Sequence, residues 1–238
     1  MQFGLAIRRL APALVFGMAM CGVARNALAD LSPEVLGFGL GADVSMARPQ
    51  MEEEARKRLM TITPLVYKGT SQVAILLGQT SSGCEELRLR STQFDQRIYL
   101  VRIWQRWENL CPSKGQPHLK TLQGQIEEKY TRQFGFPVTR LTDGSTGYWM
   151  ADSNGKKSEN QQCSQALIGS IESASPKPVP GCGKMVVYRL CCGPLVQSMR
   201  VMAIEGDLHY RDARQEALGR IQRGEEILER SKQEKPRF

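Results

Sequence analysis

The chain has few of the residues that metal sites and redox sites need. Its 238 residues include two histidines, His118 and His209, and no C-x-x-C pair of cysteines. A structural zinc site needs four converging ligands, and a thioredoxin-like site needs two cysteines on one helical turn. The sequence therefore predicts no bound metal and no cofactor.

Catalytic motifs are also scarce. No G-x-S-x-G occurs, and the S-x-x-K match at Ser153 to Lys156 lacks the S-D-N and K-T-G motifs of penicillin-recognising enzymes. Its Asn154-Gly155 pair favours a tight turn rather than a helix. The side chains of adjacent carboxylates diverge on a strand or a helix, so none forms an acid–base pair by itself; these pairs are Glu85-Glu86, Glu127-Glu128 and Glu225-Glu226. We therefore expect no catalytic residues.

Only one long apolar run is present, and it lies at the start of the chain. It extends from Leu10 to Ala24, follows Arg8-Arg9, and precedes Ala27-Leu28-Ala29. A basic segment, a short apolar segment and a small-x-small site are typical of a secretory leader. The run is shorter than the roughly 20 residues of a membrane-spanning helix. We predict a signal peptide over residues 1–29, cleavage after Ala29 and export to the periplasm.

The cysteines that remain after cleavage are even in number. The leader removes Cys21 and leaves six: Cys84, Cys111, Cys163, Cys182, Cys191 and Cys192. An even number in an exported chain predicts three disulfides.

The predicted strands suggest how these cysteines pair. Cys84 and Cys111 lie at the two ends of a predicted hairpin, which favours a bond between them. Cys191 and Cys192 are neighbours on a predicted strand, so their side chains are expected on opposite faces. Each is then expected to find a separate partner, Cys163 or Cys182, rather than to form a vicinal bond.

The charge is mildly basic and spread along the chain. The whole sequence has 32 Lys and Arg against 24 Asp and Glu, and three of those arginines belong to the leader, which leaves an excess of five. Because the basic residues form no stripe with aromatic platforms, the sequence does not predict nucleic-acid binding. The excess allows a weak contact with an anionic envelope surface.

Hydrophobic periodicity predicts three helices and six strands, and the alternation of apolar residues with glycine over 36–41 predicts a short edge strand packed against the first helix. The first helix covers 49–60 with Met51, Ala55 and Leu59 on its buried side, and the second begins at Pro117 and stops at Gly135. A charged third helix covers about 211–232, and residues 156–182 form a long loop. The strands are 72–77, 86–90, 97–107, 148–151, 186–191 and 199–204. The apolar pattern of the third strand shifts near Leu100-Val101, which indicates a bulge.

These elements repeat as a helix followed by three strands. The first unit covers 30–112, the second covers 113–210, and a charged helix and tail follow over 211–238. An antiparallel sheet covered by helices on one face is the natural two-layer arrangement of such units. The predicted fold class is therefore α+β, with two tandem units cross-linked by disulfides.

Two short segments carry a resemblance to a known family. Leu36-Gly37-Phe38-Gly39-Leu40-Gly41 leads into the first helix, and the helix containing Leu122 ends at Phe134-Gly135-Phe136-Pro137. The arrangement resembles the helix-plus-sheet modules of the SmpA/OmlA type, and the tandem version found in beta-lactamase inhibitor proteins. This resemblance implies a protein-binding envelope module without catalytic residues.

The tryptophans provide the candidate binding site. Trp104 and Trp107 differ by three positions on one strand, so they are expected on opposite faces unless the bulge intervenes. One is then core, and the other, flanked by Arg102 and Arg106, is a candidate anchor for a partner. The leading hypothesis is a non-catalytic exported protein that binds another envelope protein. The alternatives are a hydrolase acting on cell-wall or anionic substrate, with Ser153 and Lys156 or a scattered carboxylate pair in the catalytic role, and a structural envelope component.

Overall fold

The computed structural model describes residues 33–107, 111, 115–173 and 177–233; the predicted signal peptide, 1–29, lies outside the described residues. The helices are α1 (Val44–Arg58), α2 (Leu119–Phe134), α3 (Gln161–Ser170) and α4 (Gly206–Gln233). The strands are β1 (Glu34–Val35), β2 (Phe38–Gly39), β3 (Met60–Val66), β4 (Val73–Thr80), β5 (Glu85–Ser91), β6 (Ile98–Arg106), β7 (Thr139–Arg140), β8 (Thr146–Met150), β9 (Lys184–Cys191) and β10 (Ser198–Glu205).

Eight of the strands form one antiparallel sheet in the order β3-β4-β5-β6-β10-β9-β8-β7. The first four follow α1 and the last four follow α2, and the halves join where β6 pairs with β10. The predicted α+β class with an antiparallel sheet is confirmed. Each unit has four strands rather than the predicted three, because β3 and the short β7 were missed.

Helices cover both faces of this sheet, not one as predicted. Met51 of α1 and Tyr130 of α2 pack in one core, while Leu167 of α3 and Leu208 of α4 pack in a second. Along β9, Val187 belongs to the second core and its neighbour Val186 to the first. Because β9 and its neighbours are apolar on both faces, both faces must be covered.

A bulge interrupts the pairing of β5 with β6. Arg90 lies opposite Leu100 and Ser91 opposite Ile98, which leaves Tyr99 as the extra residue. Tyr99 and Leu100 consequently pack on the same face of the sheet. The predicted bulge in this strand is confirmed, one residue from its predicted place, and it sets which side chains of β6 face outward.

The first helix is longer than predicted at its start. Asp43 caps α1 by accepting a hydrogen bond from the Ser45 N–H at 2.8 Å, so the helix begins at Val44 and includes Pro49. The capped first turn stabilises the helix ahead of Pro49, and this offsets the hydrogen bond lost because proline has no N–H. Leu59, predicted to be buried, is 86% exposed, because it takes the left-handed conformation that ends the helix.

The cysteines of the described residues form three disulfides. The predicted Cys84–Cys111 bond is confirmed, with its Cα atoms 5.6 Å apart. The other prediction is wrong: Cys163 pairs with Cys182, and Cys191 with Cys192. The strand argument failed because β9 ends at Cys191, so Cys192 already belongs to the following turn and the two side chains need not alternate.

The predicted loop 156–182 contains the helix α3. Asn160 caps it by accepting hydrogen bonds from the Gln162 and Cys163 N–H groups, and the Cys163–Cys182 bond joins it to the segment just before β9. Its buried residues include Cys163 and Leu167, and most of its other side chains are polar. This narrow apolar side is why a polar loop was predicted here.

Candidate functional site

The four predicted binding residues separate onto two faces. Arg102, Trp104 and Arg106 alternate on β6 and lie on the face opposite α1 and α2, as Leu100 does. Trp107 follows β6 and packs against the core under α1 and α2. The predicted separation of the two tryptophans is confirmed, and Trp107 is not part of the outward site.

Pairing across the sheet adds further charged residues to the same face. Arg88 of β5 lies opposite Arg102, Arg200 of β10 lies opposite Trp104, and Arg189 of β9 lies opposite Arg200. We call this surface the arginine face, and its members are Arg88, Arg102, Trp104, Arg106, Arg189 and Arg200. Five arginines from four strands therefore lie on the sheet face that carries Trp104.

Trp104 lies among guanidinium groups. The Cζ of Arg106 is 4.1 Å from its ring centroid and that of Arg200 is 5.5 Å away. Guanidinium groups at such distances are attracted to the ring electrons of tryptophan. The Nε1 of Trp104 is buried and has no hydrogen-bond partner among the described residues. The ring is thus held in place while its one donor remains unused.

Glu86 neutralises the buried side of the arginine face. Its side chain is 9% exposed and contacts Arg102 at 2.6 Å and Arg88 at 3.2 Å. Burial, and then the neighbouring charge of Arg102, lowers the pKa of Arg88. The Nε atoms of Arg88 and Arg102 are also buried without a partner in the described part of the chain. The single carboxylate of Glu86 therefore forms ion pairs with two neighbouring guanidinium groups, those of Arg88 and Arg102.

A second carboxylate reaches the face from the end of α3. Glu172 forms ion pairs with Arg200 and, at 2.8 Å, with Arg189. The carbonyl of Ser173 accepts a hydrogen bond from Arg102 at 3.1 Å. Burial, followed by the charges of Arg102 and Arg106, lowers the pKa of Arg200. Five arginines thus face two glutamates, and the surface keeps an excess of positive charge.

Apolar side chains continue this face toward the free edge of the sheet. Leu77 of β4 lies opposite Arg88, and Ile75 lies opposite Leu65 of β3. Leu65 is 43% exposed. At the other side, Arg189 also lines an open groove of about 750 Å³ together with Asp143 and the exposed Cys192. The arginine face is therefore bordered by apolar side chains toward β3 and by a groove beside Arg189.

The S-x-x-K match lies elsewhere and has no catalytic geometry. Ser153 is exposed in a turn that Asp152 closes by accepting hydrogen bonds from the Asn154 and Lys156 N–H groups. The adjacent carboxylates diverge as predicted: Glu86 joins the arginine face, whereas Glu85 contacts Arg58 on α1. The structure therefore brings none of these candidates together as an acid and a base.

The comparisons with known proteins identify no relative. No protein-family model, no curated protein and no solved structure matches this chain. Within the described residues, no helix is both long and apolar enough to span a membrane. Across those same stretches, no three His, Cys, Asp or Glu side chains are grouped so that they could hold a metal ion.

Proposed function

We propose that this protein is an exported, non-catalytic protein that binds another protein of the cell envelope through the arginine face. The observation that carries the proposal is the half-buried Trp104, whose ring is contacted by the guanidinium groups of Arg106 and Arg200 on the sheet face opposite α1 and α2. Tryptophan and arginine are the residues that contribute most to binding energy at protein interfaces. The resemblance to tandem envelope modules, stated from the sequence, supports the same function.

The chemistry of the face favours an acidic partner. A guanidinium group binds a carboxylate with two parallel hydrogen bonds, which a lysine ammonium does not do. The excess of arginine over glutamate leaves such bonds available, and exposed Leu65 on the same sheet face adds apolar contact area. A charged centre with apolar surroundings is the composition of a specific protein interface.

The test compares two variants that each lose two positive charges. Arg106→Ser with Arg200→Ser alters the arginine face, and Arg56→Ser with Lys57→Ser alters the exposed end of α1 on the opposite side. After crosslinking in intact envelope, we expect the wild type and the α1 variant to recover the same partner and the arginine-face variant to lose it.

Two results would contradict the proposal. Recovery of no crosslinked partner with the wild type would argue against a binding function. Equal loss by both variants would show that general charge, and not this face, is responsible. Circular dichroism and the thermal midpoint check that both variants are folded.

A further inference from the structure

The two glutamates of the arginine face are held very differently. The Glu86 side chain is 9% exposed and lies between strands, whereas the Glu172 side chain is 49% exposed at the end of α3. Ion pairs of exposed side chains contribute little to stability because water and salt screen them. Glu172 is therefore the carboxylate of this face that an incoming group can replace.

Glu172 and Ser173 together form a short piece of chain lying across the strands. The Glu172 carboxylate contacts Arg189 of β9 and Arg200 of β10. The Ser173 main-chain carbonyl accepts from Arg102 of β6. A carboxylate followed by a peptide carbonyl is the chemistry of an acidic polypeptide. The arginine face thus already binds such a segment, Glu172 and Ser173 of the same chain.

We infer that the partner contributes an acidic polypeptide segment whose carboxylate takes the place of Glu172 between Arg189 and Arg200. This inference rests on the function proposed above and adds the ligand chemistry and its internal competitor. Arg189 also lines the groove at this end of the sheet, so a segment that displaces Glu172 reaches the border of that groove. Glu172 lowers the affinity of the face because the partner must first displace it.

A labelled acidic peptide tests this competition directly. The probe is fluorescein-labelled octaglutamate, and its fluorescence anisotropy is measured at low ionic strength, where exposed charges are least screened. We expect Glu172→Gln to bind it about fivefold more tightly than the wild type, the size expected for weakening an exposed ion-pair network. Glu159→Gln, an equal charge change at an exposed residue before α3, is the matched control and should bind as the wild type does.

The remaining outcomes separate this inference from the proposed function. If Glu172→Gln binds as the wild type does while Arg200→Ser loses binding, the internal competition is wrong and the arginine face stands. Equal tightening by Glu159→Gln also overturns the competition, since net charge alone then explains it. If the protein binds dextran sulfate more tightly than octaglutamate, the ligand is an anionic polymer and the inference of an acidic polypeptide is wrong. If no form of the protein binds octaglutamate, both proposals fall.

Discussion

The imidazole of His209 lies parallel to the ring of Tyr99, with the ring centroids 4.3 Å apart. His209 is near the start of α4 and Tyr99 is the bulged residue of β6, so the stacked pair fixes α4 to the sheet. Burial, and then the charge of Arg90, lowers the pKa of His209 to about 4. Its Nδ1 is buried without a partner in the described part of the chain. The folded state therefore favours the neutral imidazole.

Replacing this histidine should reduce the loss of stability in acid. In the unfolded chain His209 gains its proton near pH 6.5, and in the folded protein only near pH 4. The wild type should therefore lose on the order of 2 kcal/mol of unfolding free energy through this group as pH falls across that interval. His209→Phe keeps the stacked ring but cannot gain a proton, so it should not lose this part of the unfolding free energy in acid. Urea unfolding of both proteins at pH 7.5 and 4.5 measures it, and identical pH dependence would contradict the prediction.

Gly206 is required by the close approach of α4 to Cys182. A Cβ atom at position 206 would overlap the carbonyl oxygen of Cys182. Because the opposing atom belongs to the backbone, Gly206→Ala should lower the unfolding free energy by about 1–3 kcal/mol. Gly219→Ala, on the same helix, meets only the Arg223 side chain at an ordinary distance and should stay within about 1 kcal/mol of the wild type. Equal effects of the two changes would contradict this explanation.

The disulfides should differ in their effect on stability. Cys163 and Cys182 are 19 residues apart, and closing a loop of that size stabilises by about 3 kcal/mol. Cys191 and Cys192 are adjacent, so their bond restricts the unfolded chain much less, by about 1 kcal/mol. We expect the Cys163→Ala/Cys182→Ala variant to lose clearly more stability than Cys191→Ser/Cys192→Ser, measured by urea unfolding. Thiol titration of the unreduced, denatured mature protein, without residues 1–29, should detect no free thiol; two or more would contradict the three bonds.

Glu86 and Glu172 should also differ when each is made neutral. Glu86→Gln leaves two largely buried guanidinium groups without their carboxylate, and should lower the unfolding free energy by about 1–3 kcal/mol. Glu172→Gln alters an exposed carboxylate and should change it by less than about 1 kcal/mol. Thermal unfolding of the pair gives the comparison. A larger loss from Glu172→Gln would show that the segment after α3 is structural.

Local alternation predicted the centre of the candidate site but not its extent. Arg102, Trp104 and Arg106 occupy alternate positions of one strand, and that spacing alone places them on a common face. Arg189 and Arg200 join them only through the pairing of β10 with β6 and β9. That pairing connects distant parts of the chain, and no local pattern indicates it. Glu172 was missed with α3, whose few buried residues resemble a polar loop in the sequence.

The strands at the two edges of the sheet, β3 and β7, were also not predicted from the sequence. β3 contains Pro64 and several exposed side chains, a composition that argues against a strand when it is read locally. At an edge the missing amide of proline faces away from the neighbouring strand, and the residue also discourages pairing with another molecule. β7 has two residues, Thr139–Arg140, too few for any periodicity. Buried strands were predicted more reliably because their apolar side chains constrain the sequence more strongly.

The junction of β6 with β10 divides the arginine face between the two helix-and-strand units. Arg88, Arg102 and Arg106 come from the first, while Arg189, Arg200 and Glu172 come from the second. Neither half of the polypeptide by itself carries the whole arginine face. Because Arg102, which donates to the Ser173 carbonyl, comes from the first unit, we expect full affinity for the acidic probe to require docking of the two halves. Co-expression of the two units as separate fragments would then give a complementation assay, in which binding of the probe measures their association.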